Sequence, residues 1–355
     1  MNIKGQKRSV FLPILLFFSV FYRFAVWTRN VMFDLGVLKI TKFPVPVISI
    51  GNITAGGTGK TPFTIWLAQQ SGLQYSKIVV VSRGYGRRSK GVQIVSNGAG
   101  QIEDSLTGGD EPVLIAHRLK DVPVIVAEKR REGIQKAIDL FKPELIILDD
   151  AFQHRYVSRD CDIVMIDSRK DLRYEPLLPA GRMREPLENL KRASCLVYTH
   201  YDRSSDKLDD QFLNRYYRGP LAYSAHIPDC FVDVRMEKFA TIEEMRGTAV
   251  TAFAGIAHPG EFRNTLDRIG LEVKSFKALP DHYKYHRRWL SSLVAETTKM
   301  GCRFIITTEK DLVKLPGEIF GDLQVLALRL QMRVDKSEKL VQTIKEYIDK
   351  RVIHP

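Results

Sequence analysis

Residues 51–61, Gly-Asn-Ile-Thr-Ala-Gly-Gly-Thr-Gly-Lys-Thr, constrain this chain more than any other stretch. They follow a compact apolar run, Pro46-Val47-Ile48-Ser49-Ile50, and precede a stretch with helical spacing, Pro62-Phe63-Thr64-Ile65-Trp66-Leu67-Ala68. Strand, glycine loop and helix in that order are the context of a phosphate-binding loop. Glycines let successive backbone N–H groups face inward on a polyphosphate, and the helix N-terminus behind them adds partial positive charge. Thr54, Ala55, Gly56, Gly57, Thr58, Gly59, Lys60 and Thr61 are therefore the expected nucleotide-binding residues. Lys60 would reach the β- and γ-phosphates, and the Thr61 hydroxyl would sit on Mg²⁺. Thr54 stands where the general pattern has glycine. A glycine-rich turn without ligand is the alternative, but four closely spaced features (Gly56-Gly57, Gly59, Lys60, Thr61) favour a nucleotide triphosphate site.

At 355 residues, two domains are the soft expectation. A hydrophobic content of 44% beside 27% charged residues is ordinary globular material. Lys and Arg number 54 against 41 Asp and Glu, so 54 − 41 gives a net charge of +13. That excess suits an anionic partner: nucleic acid, an anionic membrane surface or a phosphorylated substrate. No helix-turn-helix, zinc-finger or RNA-binding signature accompanies it, which argues against nucleic acid. Cys161, Cys195, Cys230 and Cys302 form no C-x-x-C pair and read as reduced, buried small hydrophobes rather than a zinc site.

In chain order, a basic start with Lys4, Lys7 and Arg8 leads into an apolar run over residues 10–22, followed by Arg23, Trp27 and Arg29. The run is shorter than the ~20 residues needed to cross a bilayer. No small-residue cleavage site of a secretory signal follows it. A buried core helix is one reading. The preferred one is a helix lying in or dipping into the membrane interface, with Trp27 and the basic residues at headgroup level. ATP is cytoplasmic, so the loop after this helix points to the cytoplasmic face.

From residue 45 apolar runs alternate with helical patterns. Strands are predicted at 45–50, 78–82, 124–127, 145–148, 163–166 and 196–198, with helices after Thr61, Glu111 and Glu132. Val- and Ile-rich runs separated by helices argue for a parallel sheet covered on both faces. Residues 202–210 read as an exposed polar stretch, and strand-like patterns at 222–225 and 231–234 as a linker. A second alternation follows: strands at 250–253, 273–276, 304–307 and 323–328, helices at 259–269, 287–300 and 336–350. The expected fold is α/β, a P-loop NTPase-like parallel sheet domain (30–220), linker strands (221–240) and a smaller C-terminal α/β domain (241–355), behind an N-terminal membrane-associated helix (1–29).

Leu145-Ile146-Ile147-Leu148-Asp149-Asp150 is an apolar strand ending in two carboxylates. In a P-loop protein such a strand lies beside the phosphate loop and its terminal acid holds Mg²⁺, directly or through water. Acids that cap the next turn are the plainer reading. Gln153 and His154 add polar groups at the carboxyl end of the sheet, where open α/β sheets bind ligands. Gly108-Gly109-Asp110-Glu111-Pro112 presents two adjacent acids; a kinase needs one to orient the attacking hydroxyl and accept its proton, and another near the metal. A helix N-cap by Asp110 explains the same residues. Arg83 and Tyr85, in Ser82-Arg83-Gly84-Tyr85-Gly86-Arg87-Arg88, and Arg184, in Arg182-Met183-Arg184-Glu185-Pro186, suit phosphate or carboxylate recognition, or are solvated loops. Asp281-His282 could form an acid–imidazole pair. Thr307-Thr308-Glu309-Lys310-Asp311 reads as well as a capping box.

Together these stretches resemble the tetraacyldisaccharide 4'-kinase family of lipid A biosynthesis. The motifs, in order, are PVPVISIGNITAGGTGKTP, VSRGYGRR, GDEP, LDDAFQH, LPAGRMREP, AFAGIAHP, LPDHY and TTEKDLVKL. They span most of the chain. The family pattern has Thr where Thr54 stands; Ala151 and Leu279 depart from its usual Gly and Phe. The resemblance implies a membrane-associated P-loop kinase that moves the γ-phosphoryl of ATP to the 4'-hydroxyl of a tetraacylated glucosamine disaccharide 1-phosphate. It implies Asp110 as general base with His282 supporting it, Glu111 and Asp150 (with Asp149 beside it) near Mg²⁺, and Gln153, His154 and Arg184 in the cleft. Arg83, Tyr85 and Asp281 are further expected substrate contacts. It implies the cytoplasmic face of the inner membrane of a Gram-negative bacterium, with no statement of oligomeric state. A membrane-associated P-loop ATPase or switch without a lipid acceptor is the competing class; it leaves the joint occurrence of GDEP, DDAFQH and DHY unexplained.

Overall fold

Strand periodicity sorts the central apolar residues onto two faces. Ile48, Ile50, Val80, Leu145 and Ile147 pack in one core cluster with Phe63 and Leu67, while Val47, Val79, Val81, Ile146 and Leu148 pack in another with Ile134. A sheet buried on both faces is the consequence, as the Val- and Ile-rich runs predict. The computed structural model describes residues 3–70, 73–201, 210–316 and 320–353.

The elements run α1 (Ile3–Asp34), β1 (Val47–Asn52), α2 (Lys60–Ala68), β2 (Ile78–Ser82), β3 (Gln93–Ser96), α3 (Ser105–Gly108), α4 (Asp110–Arg118), β4 (Val124–Val126), α5 (Arg130–Phe141), β5 (Leu145–Asp149), β6 (Cys161–Asp167) and β7 (Cys195–Thr199). They continue through α6 (Asp210–Leu213), β8 (Leu221–Val232), β9 (Lys238–Thr241), α7 (Ile242–Met245), β10 (Ala249–Ala254), α8 (Pro259–Arg268), β11 (Glu272–Ala278), α9 (Arg287–Lys299), β12 (Phe304–Thr308), α10 (Glu309–Leu312), β13 (Gln324–Val334) and α11 (Ser337–Ile353). Among the described residues 13 strands form one sheet, in the order β11-β10-β12-β13-β8-β7-β6-β1-β5-β2-β4-β3, with β9 on β8.

Most neighbours are parallel. The exceptions are β3 on β4, β13 on β8 and β9 on β8. The two strand patterns at 222–225 and 231–234 are in fact one strand, β8. Its start pairs parallel with β7 (Leu196↔Leu221) and its remainder antiparallel with β13 (Val334↔Ser224 to Ala327↔Val232), so it carries both halves of the sheet. The short strands β3 and β9 have no periodicity long enough to be read from sequence. The polar stretch expected at 202–210 lies, apart from Asp210 at the start of α6, outside the described residues. All four cysteines are buried and free.

The N-terminal helix departs from expectation in length. It is continuous from Ile3 to Asp34, and its Phe11–Asp34 portion, 24 residues containing an 18-residue window of mean hydropathy 1.7, is long and apolar enough to cross a membrane. At ~1.5 Å per residue it measures roughly 36 Å. Arg23 and Arg29 do not break it, because helix is compatible with both and each finds a carboxylate, Glu188 at 3.6 Å and Glu185 at 3.3 Å. Nor is it a core helix. Phe11, Phe17, Phe18, Val20, Phe21, Phe24 and Trp27 are each more than half exposed, and the buried stripe is confined to Ser19, Val26, Asn30 and Phe33.

Candidate active site

The carboxyl ends of the strands open on one cleft of about 1680 Å³. Residues following β1, β2, β5, β7, β10 and β12 all line it, so the ligand region lies where open α/β sheets place it. Of the residues expected from sequence, all but Thr54, Asp110 and Asp149 line this cleft. Thr54 is buried behind the loop, pairing with Met183.

The phosphate loop is shaped by two left-handed glycines, Gly56 (φ 109°) and Gly59 (φ 76°), the second capping α2. Asn52 Nδ2 donates to Thr58 Oγ1 at 2.7 Å, pinning the loop from below. Gly51 permits the close approach of the 150s turn: a Cβ there would lie 2.5 Å from Phe152 Cβ. Gln153 Nε2 donates to Asn52 O at 2.8 Å, tying that turn to β1. The 182–184 segment runs against the loop entry, with Ala55 N donating to Arg182 O (2.6 Å) and Arg184 N to Ile53 O (2.7 Å). Backbone pairing is therefore what aims Arg184 at the site.

Asp150 is the meeting point of this side. Its Oδ1 is 3.5 Å from Lys60 Nζ and 2.9 Å from Arg184 Nη1, and its φ of 49° is a left-handed conformation rare outside glycine. Burial works against the charge, but Lys60, Arg184 and Arg130 hold its carboxyl below the usual range. Asp149 points the other way. It is 1% exposed and accepts from Thr64 Oγ1 (3.0 Å) and Ser82 Oγ (3.1 Å); burial, then Glu111 and Asp150, raise its pKa to about 6. Arg130, unnoticed in the sequence, lies beneath both: it donates to Asp149 O and Asp150 O, each at 3.4 Å, and burial lowers its pKa to about 10. His154 is half-buried with Nε2 unpartnered, and burial beside Arg130 lowers its pKa to about 4.

The second group assembles from both halves of the sheet. Gly109 (φ 87°) caps α4 and no side chain does, so the reading of Asp110 as a helix cap is overturned. Asp110 instead opens the helix, where an N-terminus favours an anion, and its Oδ2 lies 3.1 Å from His282 Nδ1. His282 is left-handed at φ 57°, its N–H donating to Asp281 Oδ1 at 3.0 Å. Such conformations concentrate at functional sites. The Tyr85 ring packs on His282 at 5.4 Å between centroids. Tyr85 gets there because glycines meet: a Cβ on Gly109 would be 3.2 Å from Gly84 Cα. Glu111 faces Lys310 at 3.3 Å, and Lys310 also reaches Asp281 at 3.2 Å. Arg83 is exposed at the rim. Lys310 and Lys314 had no assigned role in the sequence, where the motif reads as a helix cap; Thr308 does cap α10, accepting from Asp311 N at 3.1 Å.

The donor set fits Mg²⁺. Among the described residues no three His, Cys, Asp or Glu side chains converge as a metal cage. An ionised Asp150 3.5 Å from Lys60, with Thr61 lining the same cleft, is the sparse protein share expected when substrate phosphates supply the remaining ligands.

A glycine loop with Lys60 behind it, and an Asp110–His282 pair that reaches the same α/β cleft through His282, make up the arrangement of a P-loop kinase. The comparisons narrow the class. The family model described as tetraacyldisaccharide-1-P 4'-kinase matches residues 11–349, and the chain belongs to that family. The tetraacyldisaccharide 4'-kinase of Aquifex aeolicus is 37% identical over 340 residues, covering 95% of this chain and 98% of its own length. That of Chlorobium luteolum is 38% identical over 308 residues, covering 84% of this chain and 86% of itself. A crystal structure of LpxK from Aquifex aeolicus, an "apo" form in complex with ATP, superposes with a TM-score of 0.78 at 35% identity, covering 96% of this chain and 99% of the other.

Proposed function

We propose that this protein transfers the γ-phosphoryl of ATP to the 4'-hydroxyl of a tetraacyldisaccharide 1-phosphate, with Asp110 as the base. The observation that carries the residue assignment is the Asp110–His282 pair, built from opposite halves of the sheet at the edge of the phosphate-loop cleft. The loop amides, Lys60 and Arg184 gather and neutralise the triphosphate, and Thr61 and Asp150 are placed to hold Mg²⁺. When bound, Mg²⁺ would offset the negative charge that develops during transfer. The acceptor oxygen forms its bond to the γ-phosphorus as its proton passes to Asp110. The bond from the γ-phosphorus to ADP breaks with its electron pair on ADP. Catalysis is then mainly positioning and electrostatics.

Arg83, Tyr85, Gln153, His154 and Asp281 form the acceptor side, and a cleft of this volume accommodates a nucleotide together with a disaccharide headgroup. The outward face of α1 lies in an anionic membrane at its cytoplasmic surface, where the net positive charge also favours it. Residues 30–220 and 241–355 act as two lobes around the cleft, joined through residues 221–240.

The deciding measurement is phosphate transfer from ATP to a purified tetraacylated disaccharide 1-phosphate in mixed micelles. Labelled lipid product that requires the acceptor supports the reading. ATP hydrolysis indifferent to the acceptor would replace it with a membrane ATPase.

A further inference from the structure

We propose that Lys310 is a positioning residue that fixes the ring tautomer of His282, keeping the imidazole proton on Nδ1 and aimed at Asp110. Its consequence for catalysis rests on Asp110 being the base; the tautomer itself does not.

Lys310 follows the strand end of β12 and sits on α10, which packs against α4 through the Arg118–Glu309 ion pair (2.9 Å). Its Nζ lies 3.3 Å from His282 Nε2, 3.2 Å from Asp281 Oδ1 and 3.3 Å from Glu111 Oε1. Burial works against its charge, but the Glu111 and Asp281 carboxylates outweigh burial and raise its pKa. An ammonium carries donors and no acceptor. The ring nitrogen it meets must therefore accept, so His282 Nε2 carries no proton. The other candidate partner for an Nε2–H, Asp281 Oδ1, is 3.9 Å away, beyond hydrogen-bonding distance. The one ring proton then sits on Nδ1 and is donated to Asp110 Oδ2 at 3.1 Å.

This arrangement gives Asp110 a direction. With Oδ2 accepting from the imidazole, Oδ1 is left for the acceptor hydroxyl. While Lys310 covers Nε2, the ring has no free lone pair, so it supports Asp110 without competing for the substrate proton. Lys314, one helical turn on, keeps a second ammonium 4.0 Å from Asp110 Oδ2 and 2.7 Å from Asp311 Oδ1. The residues come from separate halves of the sheet, Asp110 and Glu111 from α4 and Asp281, His282 and Lys310 from the segments after β11 and β12. The tautomer is thus set only where the halves meet.

The test is ¹⁵N NMR of the full-length protein labelled at histidine, in detergent micelles, with His282→Gln assigning the resonance. The expected spectrum shows an unprotonated Nε2 and a protonated Nδ1. Lys310→Met, which keeps the aliphatic stem and removes the donor, should move the proton toward Nε2. It should lower kcat about tenfold or more with KM for ATP unchanged, and Lys310→Arg should restore most of the loss. A protonated Nε2 in the unaltered protein overturns the proposal, and so does a Lys310→Met protein whose His282 signal and kcat are unaltered. If Lys310→Met does not fold, the unaltered protein's spectrum decides alone. Asp110→Asn kinetics test the base separately: an unprotonated Nε2 with full Asp110→Asn activity keeps the tautomer and removes the base.

Discussion

Two adjacent carboxylates end the same strand and have different surroundings. Asp150 faces the cleft between Lys60 and Arg184, while Asp149 is enclosed by two hydroxyl donors. Asp150→Asn should therefore shift the Mg²⁺ requirement of transfer upward, by roughly tenfold or more. Asp149→Asn, whose hydroxyl partners can rotate to suit an amide, should leave it nearly unchanged. Mg²⁺ titrations of the two purified variants separate these outcomes, and equal shifts would show that both acids serve the metal. Asp110→Asn should lower kcat by ~10²–10⁴ with ATP affinity retained; ATP titration by fluorescence beside turnover measures both. The sequence left the division of labour among Asp110, Glu111, Asp149 and Asp150 open for a physical reason. Local spacing shows that acids end a strand or start a helix, but not which side of the turn each enters. The same limit hid Arg130 and Lys310, whose partners lie far away in sequence. The phosphate loop was legible because its chemistry is carried by neighbours along the chain.

At the scale of elements, α1 has two unlike faces. One is apolar and exposed; the other is fixed by polar contacts to the 177–185 segment, with Ser19 Oγ donating to Leu177 O (2.9 Å) and Tyr22 OH to Arg184 O (2.9 Å). At the end of that segment Glu185, 0% exposed, receives Arg29 at 3.3 Å and Arg192 at 2.6 Å. Removing one member of a buried charged group leaves the others uncompensated, typically costing ~3–5 kcal/mol. Glu185→Ala should thus destabilise the protein by an amount of that order in denaturant unfolding. Vesicle co-sedimentation should persist, because the apolar face is untouched. Loss of both together would mean that the face depends on this anchor; loss of neither would show the buried group to be unimportant. The helix itself was visible in sequence as an apolar run. Its full length was not, since the arginines that ended the run are neutralised only by tertiary partners.

For the whole molecule, β8 is the decisive element. A strand read as two pieces of linker instead hydrogen-bonds β7 on one side and β13 on the other, and it brings His226 beneath the phosphate loop. A Cβ on Gly59 would meet His226 Cε1 at 3.0 Å, and the His200 ring is 4.9 Å away. Burial, reinforced by His200 and Arg169, lowers the pKa of His226 to about 3; burial and Arg130 lower that of His154 to about 4. An unfolded histidine titrates near ~6.5. Between that value and the folded ones, each of these histidines binds more protons unfolded than native, so their contribution to stability rises with pH across this window and is lost as pH falls through it; Asp149, raised to about 6, opposes them as one group against two. The thermal midpoint should accordingly drop between pH 7 and pH 5, before most carboxylates protonate. His226→Gln, which keeps a polar side chain but cannot titrate, should flatten that slope even if its midpoint at pH 7 is lower. A slope identical to that of the unaltered protein would mean that His226 is not neutral in the native state, and that the contact between β8 and the phosphate loop tolerates a charge.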